Sequence, residues 1–192
     1  FSTDTTRRTG LLPPELGYGK SEGFYYKQPV YFAPYNEWDL EFDPQIRTNR
    51  GAGIYGAFRF TDSPDSRGEI SFGSFTDKNS YRAKQKSETS NRAELKNKTH
   101  KGVGLKYERD KLIKYLSEAD LQEGMWIDAT KLNDIDYLNL KGRDDDYDSL
   151  VTSKFNYFIA NDDHYFGAYA KYYIDTEKIG SKNENKDTLQ EL

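Results

Sequence analysis

Residues Trp38 to Arg47 alternate without a slip. Leu40, Phe42, Pro44 and Ile46 share one parity, and Asp39, Glu41, Asp43, Gln45 and Arg47 share the other. Successive side chains of a strand point to opposite faces, so this segment is greasy on one side and charged on the other. The rhythm returns along the chain in runs of about ten residues, close to the length a tilted strand needs to cross a bilayer. Such repetition points to the wall of a membrane β-barrel rather than to an enzyme.

The candidate strands run from about Arg8 to Tyr18, Gly23 to Phe32, Trp38 to Thr48, Gly51 to Thr61, Gly68 to Thr76, Lys101 to Arg109, Gly124 to Lys131, Leu150 to Ala160 and Tyr165 to Asp175. Their parity predicts one apolar, outward face with Leu40, Phe42, Ile54, Phe58, Ile70, Val103, Phe155 and Ile174. Glu41, Arg59, Glu69, Lys106 and Lys171 are predicted on the inward face. Asp110 to Glu123 is ambiguous, since Leu112-Ile113-Lys114-Tyr115-Leu116 suits a short helix or a strand extension.

Composition agrees with half-buried strands. Only 35% of residues are hydrophobic, yet 15% are aromatic, with 16 Tyr and 11 Phe. Aromatic rings supply large burial area, which separates this profile from that of a disordered chain. No apolar run is long enough for a transmembrane helix, so only a closed sheet would carry this chain across a bilayer. The net charge of −4 is mixed throughout and leaves no basic stripe for nucleic acid. With no Cys, thiolate metal sites and disulfides are excluded.

Thr48-Asn49-Arg50-Gly51 and Asn161-Asp162-Asp163-His164 have the composition of tight turns. Long polar stretches follow the fifth strand (Asp77 to His100), the seventh (Leu132 to Ser149) and the ninth (Thr176 onward). In an up-and-down sheet these emerge at one rim, opposite Asn161 to His164, as in outer-membrane barrels. Residues 1–192 form a partial barrel domain on this reading. Residues 1–7 are expected as a linker from a preceding domain, and 176–192 as a loop at a truncated end; the chain opens without Met or a signal peptide and reads as an excised piece.

Few side chains invite chemistry. His100 and His164 lie in loops and read as surface histidines, and no nucleophile–base pair is visible, so neither a catalytic residue, a metal nor a cofactor is expected. Asp144, Asp145, Asp146 and Asp148 lack calcium-loop spacing and read as a solvated loop. Arg47, Arg59, Glu69, Lys106, Asp128, Lys154 and Lys171 read as charges hydrating a barrel interior. The sharpest candidates are Pro13, Pro14 and Pro29. Proline brings no N–H to a ladder, so two neighbouring strands so interrupted make a weak seam, with the first strand a free edge.

Read in order, Arg7-Arg8-Thr9-Gly10-Leu11-Leu12-Pro13, Gly17-Tyr18, Gly23-Phe24-Tyr25-Tyr26 and Gln28-Pro29-Val30-Tyr31-Phe32-Ala33-Pro34 resemble the start of the barrel domain of the LptD family, also called organic solvent tolerance proteins. Arg8, Thr9 and Gly10 carry the opening signature. Trp38-Asp39-Leu40 through Pro44-Gln45 to Asn49-Arg50-Gly51, then Phe58-Arg59-Phe60, continue it, and a weaker likeness runs through Ala129 to Leu138. Val30-Tyr31-Phe32 departs from the family's Trp-containing run, and the family's cysteines are missing. The resemblance implies an outer-membrane protein that takes lipopolysaccharide from periplasmic bridge proteins, through a missing N-terminal domain, and releases it sideways between the first and last strands. It also implies an LptE-like lipoprotein inside the barrel. Two rivals differ in class: a soluble ligand-binding sheet, sandwich or lipocalin-like, favoured by the mean hydropathy of −0.97, and a small stand-alone barrel. A cup or sandwich packs its apolar face inward, whereas a membrane wall leaves it bare.

Overall fold

A computed structural model of the chain describes residues 8–88, 97–113, 121–141, 150–176 and 178–179. The expectations for 1–7, for Asp144, Asp145, Asp146 and Asp148, and for nearly all of the final tail lie outside the described residues. The elements are β1 (Gly10–Leu11), β2 (Glu15–Gly19), β3 (Gly23–Lys27), β4 (Val30–Phe32), β5 (Trp38–Arg47), β6 (Gly51–Phe60), β7 (Ser66–Asp77), α1 (Asn79–Glu88), β8 (Thr99–Asp110), β9 (Gln122–Leu132), α2 (Asp136–Lys141), β10 (Leu150–Ala160) and β11 (Tyr165–Asp175). All described strands join one antiparallel, up-and-down, open sheet, from β1 and β2 at one edge, through β4 and β3, to β11 at the other. The first two candidate strands are each broken at their prolines, which turns nine expected strands into the 11 observed.

The registers place every predicted apolar residue on one face. Leu40 pairs with Phe58, Phe58 with Ile70, Ile70 with Leu105, and Phe42, Ile54, Val103, Phe155 and Ile174 share that parity. The face is largely bare: Leu16, Phe24, Phe32, Ile46, Ile54, Val103, Phe155 and Phe166 are all exposed. Among the described residues no second layer covers them, which speaks against the sandwich and the inward-packed cup. Ile174 is the exception, being buried.

On the opposite face one row crosses the sheet from strand to strand: Asp39, Arg59, Glu69, Lys106, Asp128, Lys154 and Lys171 are successive cross-strand partners. Signs alternate until the last pair. Opposite charges facing each other across an antiparallel pair contribute about 0.2–1 kcal/mol each. A one-residue slip would also turn the whole row onto the apolar face, so the row fixes register.

This face is not wet from end to end, which corrects the expectation of a uniformly hydrated interior. Near one rim Tyr55, Phe75, Leu132, Tyr137 and Leu140 form a buried apolar cluster. Tyr137 and Leu140 belong to α2, which lies against β7 and β8. The wall makes room with glycine: a Cβ on Gly102 would sit 2.7 Å from the Tyr137 ring, and one on Gly73 would sit 2.3 Å from the Tyr55 ring. The last carbonyls of a short helix have no intrahelical partner. Here Tyr55 Oη donates to Tyr137 O at 3.2 Å, and Gln45 Nε2 donates to Leu140 O at 2.9 Å, both in buried positions. Replacing Gln45 by Leu should therefore cost about 1–3 kcal/mol through an unsatisfied buried carbonyl, while Glu41→Gln, four residues along the same strand, keeps an amide oxygen for Arg59 at a partly exposed position and should cost far less. Urea unfolding of the two full-length variants in detergent compares them directly.

The stretches between Asp77 and His100 and after Leu132 leave from the same rim, opposite the turn at Asn161 to His164. Neither stretch is plain loop, since α1 and α2 lie in them. The Thr48–Arg50 turn shares the long-loop rim, where Lys78 N donates to Arg50 O at 2.6 Å. Between β8 and β9, Leu112 and Ile113 continue no strand and are exposed; residues 114–120 lie outside the described residues.

Candidate functional site

The edge of the sheet is built around the prolines. Leu11 pairs with Val30 and Glu15 with Lys27, so residues 12–14 of the edge strand face only 28 and 29. One extra residue in one strand is a β-bulge, and the proline pair sits inside it. Pro13 and Pro14 are exposed, while Pro29 is buried. Gln28 N donates to Pro44 O at 3.1 Å, so the polar groups of Pro29 turn away from β5 toward the edge strand. Pro29 O accepts from Leu12 N at 3.0 Å. The return bond, from residue 29 to Leu12 O, cannot form because proline has no N–H.

A side chain supplies the missing donor. Gln28 Nε2 donates to Leu12 O at 2.8 Å and to Pro29 O at 3.1 Å, and Tyr26 Oη steadies the amide by donating to Gln28 Oε1 at 3.0 Å. Above the bulge, Gly10 faces Tyr31, and Thr9 Oγ1 accepts from Ala33 N at 3.0 Å; Arg8 stands just before them at the start of the described residues. Below it, Glu15 pairs with Lys27 at 2.7 Å. Among the described residues nothing pairs with the outer side of β1 or β2. The structure thus brings all three prolines into one interruption and ties the signature residues to the strand beside it.

A second assembly was missed by sequence reasoning. His100 is no surface residue: it is wholly buried at the start of β8. Its Nε2 lies 2.9 Å from Asp77 Oδ2 and its Nδ1 lies 2.8 Å from Asp134 Oδ1. Ionised carboxylates only accept, so both ring nitrogens carry protons and the ring is an imidazolium. Asp77 also takes Arg50 Nε at 2.9 Å; Arg50 reaches Glu22 at 2.7 Å and Asp136 at 3.2 Å, and Glu22 pairs with Arg47 as well. Burial opposes the charge of Arg50, but Asp136, Glu22 and Asp77 hold its pKa above the ordinary guanidinium value. The Tyr81 ring of α1 lies under it at 5.1 Å. The network joins the β5–β6 turn, both helices and the head of β8 at the long-loop rim. Its signal in the sequence was slight: Asp77, His100 and Asp134 stand at three strand ends. His164, by contrast, is an exposed turn residue.

One further set of charges on that face is paired rather than merely hydrated. Arg59 binds Asp39 at 2.6 Å and Glu41 at 2.8 Å, and Asp39 is buried. A groove of about 880 Å³ opens along them, lined by Asp39, Arg59, Glu69, Lys106 and Trp126.

An open up-and-down sheet with one bare apolar face, one charged face and its two longest connections at one rim has the make-up of a β-barrel wall, although the connection between β8 and β9 leaves from the other rim. No family model matches the chain. It is 39% identical over 70 residues, 36% of its length, to the LPS-assembly protein LptD of a Polaromonas species. Over 54 residues (28%) it is 39% identical to LptD of Mannheimia succiniciproducens, and over 57 residues (30%) it is 39% identical to LptD of Haemophilus influenzae. The matched stretches span 8%, 7% and 7% of those proteins. Along such a stretch the chain is LptD-like.

Proposed function

We propose that this chain is part of the wall of an outer-membrane barrel that inserts lipopolysaccharide into the outer leaflet, and that the proline-interrupted edge is its lateral exit. The observation that carries this reading is the bulge, where a ladder bond is replaced by the swinging amide of Gln28. A backbone bond opens only when strands part, but a side-chain bond opens by rotation about its own torsions. Each such bond is worth about 0.5–1.5 kcal/mol net, small enough for an amphipathic lipid to displace as it passes. Pro13, Pro14 and Pro29 are the gate residues on this reading. The LptD-like stretch and the bare apolar face support it, and no bond chemistry is required of the chain.

In the whole protein the β1–β2 edge meets the closing strand, periplasmic bridge proteins deliver lipopolysaccharide through a domain preceding residue 8, and an LptE-like lipoprotein stands against the charged face. A disulfide joining the edge strand to the closing strand of the full-length protein should abolish surface labelling of lipopolysaccharide and restore it on reduction. Unchanged export in the clamped barrel would rule out the gate.

The seam itself makes a finer prediction. Pro29→Ala supplies an N–H aimed at Leu12 O, tightening the seam and slowing export, whereas Gln28→Ala loosens it and admits large antibiotics. In Pro29→Ala the Gln28 amide becomes redundant, so the double variant should resemble Pro29→Ala alone. Additive effects on permeability would separate the two residues.

A further inference from the structure

A second groove, of about 550 Å³, lies on the apolar face near the long-loop rim, with Ile54, Phe72 and Val103 as its greasy lining. Ile54 and Val103 are each close to half exposed. Lys101 and Lys131 stand beside it. Lys101 is opposite Ser74 in β7, and Lys131 is opposite Val103 in β8, so the two lysines are diagonal neighbours on adjacent strands of one face. Such neighbours have Cα atoms roughly 7–8 Å apart, within reach of long side chains. Both are exposed, and among the described residues neither ammonium has a carboxylate partner. Among the described residues their companions at this end of the face are Ser74, Thr76, Thr99 and Asn133, none acidic. Two like charges side by side repel unless an anion bridges them.

We propose that this groove is a lipopolysaccharide-binding site on the outer wall of the barrel, with an acyl chain over Ile54, Phe72 and Val103 and a sugar-borne phosphate bridging Lys101 and Lys131. The assignment rests on the wall reading above. That reading turns the apolar face to lipid and the long-loop rim to the outer surface, so the lysines stand at the depth of the outer-leaflet headgroups. An apolar trough ending in two cations with no carboxylate partner among the described residues complements a molecule that is acyl at one end and anionic at the other. Lysines that merely snorkel to the interface need no trough below them.

The test uses the full-length protein in outer membranes, with a photo-crosslinking residue at Val103 or, as a same-face position outside the groove, at Tyr172. Crosslinked lipid is read by phosphate label and by antibody to lipopolysaccharide. At Val103, capture of lipopolysaccharide should fall about tenfold in the Lys101→Gln/Lys131→Gln variant, the loss expected for a charge-assisted contact. At Tyr172 it should not change. Equal capture at both positions, indifferent to the lysines, would mean bulk lipid contact only and would overturn the site while the wall reading stands. Absence of lipid at both positions would overturn the wall reading itself.

Discussion

Replacing His100 by Leu should undo the long-loop rim. The substitution keeps much of the side-chain volume but removes a cation held between Asp77 and Asp134 in a fully buried position. Asp77 would keep Arg50 as a partner, but its other oxygen would face an apolar side chain in a position closed to solvent. Removing one partner of a buried ion pair costs about 3–5 kcal/mol, because the charge left behind cannot be solvated. The cost should appear where the network ties elements together: α2 should come off the wall and the Arg50 turn should loosen. A Cys at Leu140, a position that is 1% exposed, should resist maleimide in the parent background and react in the His100→Leu background. His100→Leu combined with Asp77→Leu should recover part of the loss, since the stranded charge is gone. An unfolding free energy for His100→Leu within about 0.5 kcal/mol of the parent, the range of an ordinary surface change, would show that the network carries no load.

The strands from β5 onward were legible because their pattern is set by a two-sided environment. A period-two alternation between a bare apolar face and a charged one survives any uncertainty about strand ends, and the row from Asp39 to Lys171 follows from parity once the order is up-and-down. The prolines were equally plain as interruptions. The bulge, however, depends on counting three residues against two across a gap, and the part played by Gln28 depends on a torsion that sequence does not carry. His100 was misread for a related reason. Two histidines between polar stretches look alike in sequence, but one ends a strand under a helix and the other caps an open turn. His100 is clasped by Asp77 and Asp134, and beside it lies α2, six residues whose two apolar anchors, Tyr137 and Leu140, have too little periodicity to announce a docked helix. The glycines opposite it, Gly73 and Gly102, fit the alternation as ordinary wet-face positions and give no hint that they are contact points.

Those glycines yield the sharpest steric prediction. Gly102 needs no unusual backbone angle; it needs the absence of a side chain. A Cβ there would meet Tyr137 Cδ1 at 2.7 Å and the Lys131 carbonyl oxygen at 2.9 Å. The ring has no room to swing away, because Tyr137 is buried among Tyr55, Phe75, Leu132 and Leu140. The carbonyl belongs to the neighbouring strand and moves only with the ladder. Gly102→Val should therefore expel α2 rather than distort the wall, since the wall has backbone ladder partners on both sides of β8, whereas the helix is held to it by side-chain contacts from Tyr55, Gln45 and Arg50. Losing the burial of Tyr137 and Leu140 costs about 1.5–3 kcal/mol for each side chain. Gly10→Ala, where a Cβ meets nothing within 4 Å, is the tolerated control. Cys at position 140 again reports the outcome: it should become as reactive in Gly102→Val as in His100→Leu, but with His100 still held by Asp77 and only the Arg50–Asp136 contact of the network lost with the helix. A Gly102→Val protein in which that cysteine stays protected would mean that the strands had yielded instead, and that the helix is held more firmly to the wall than its six residues suggest.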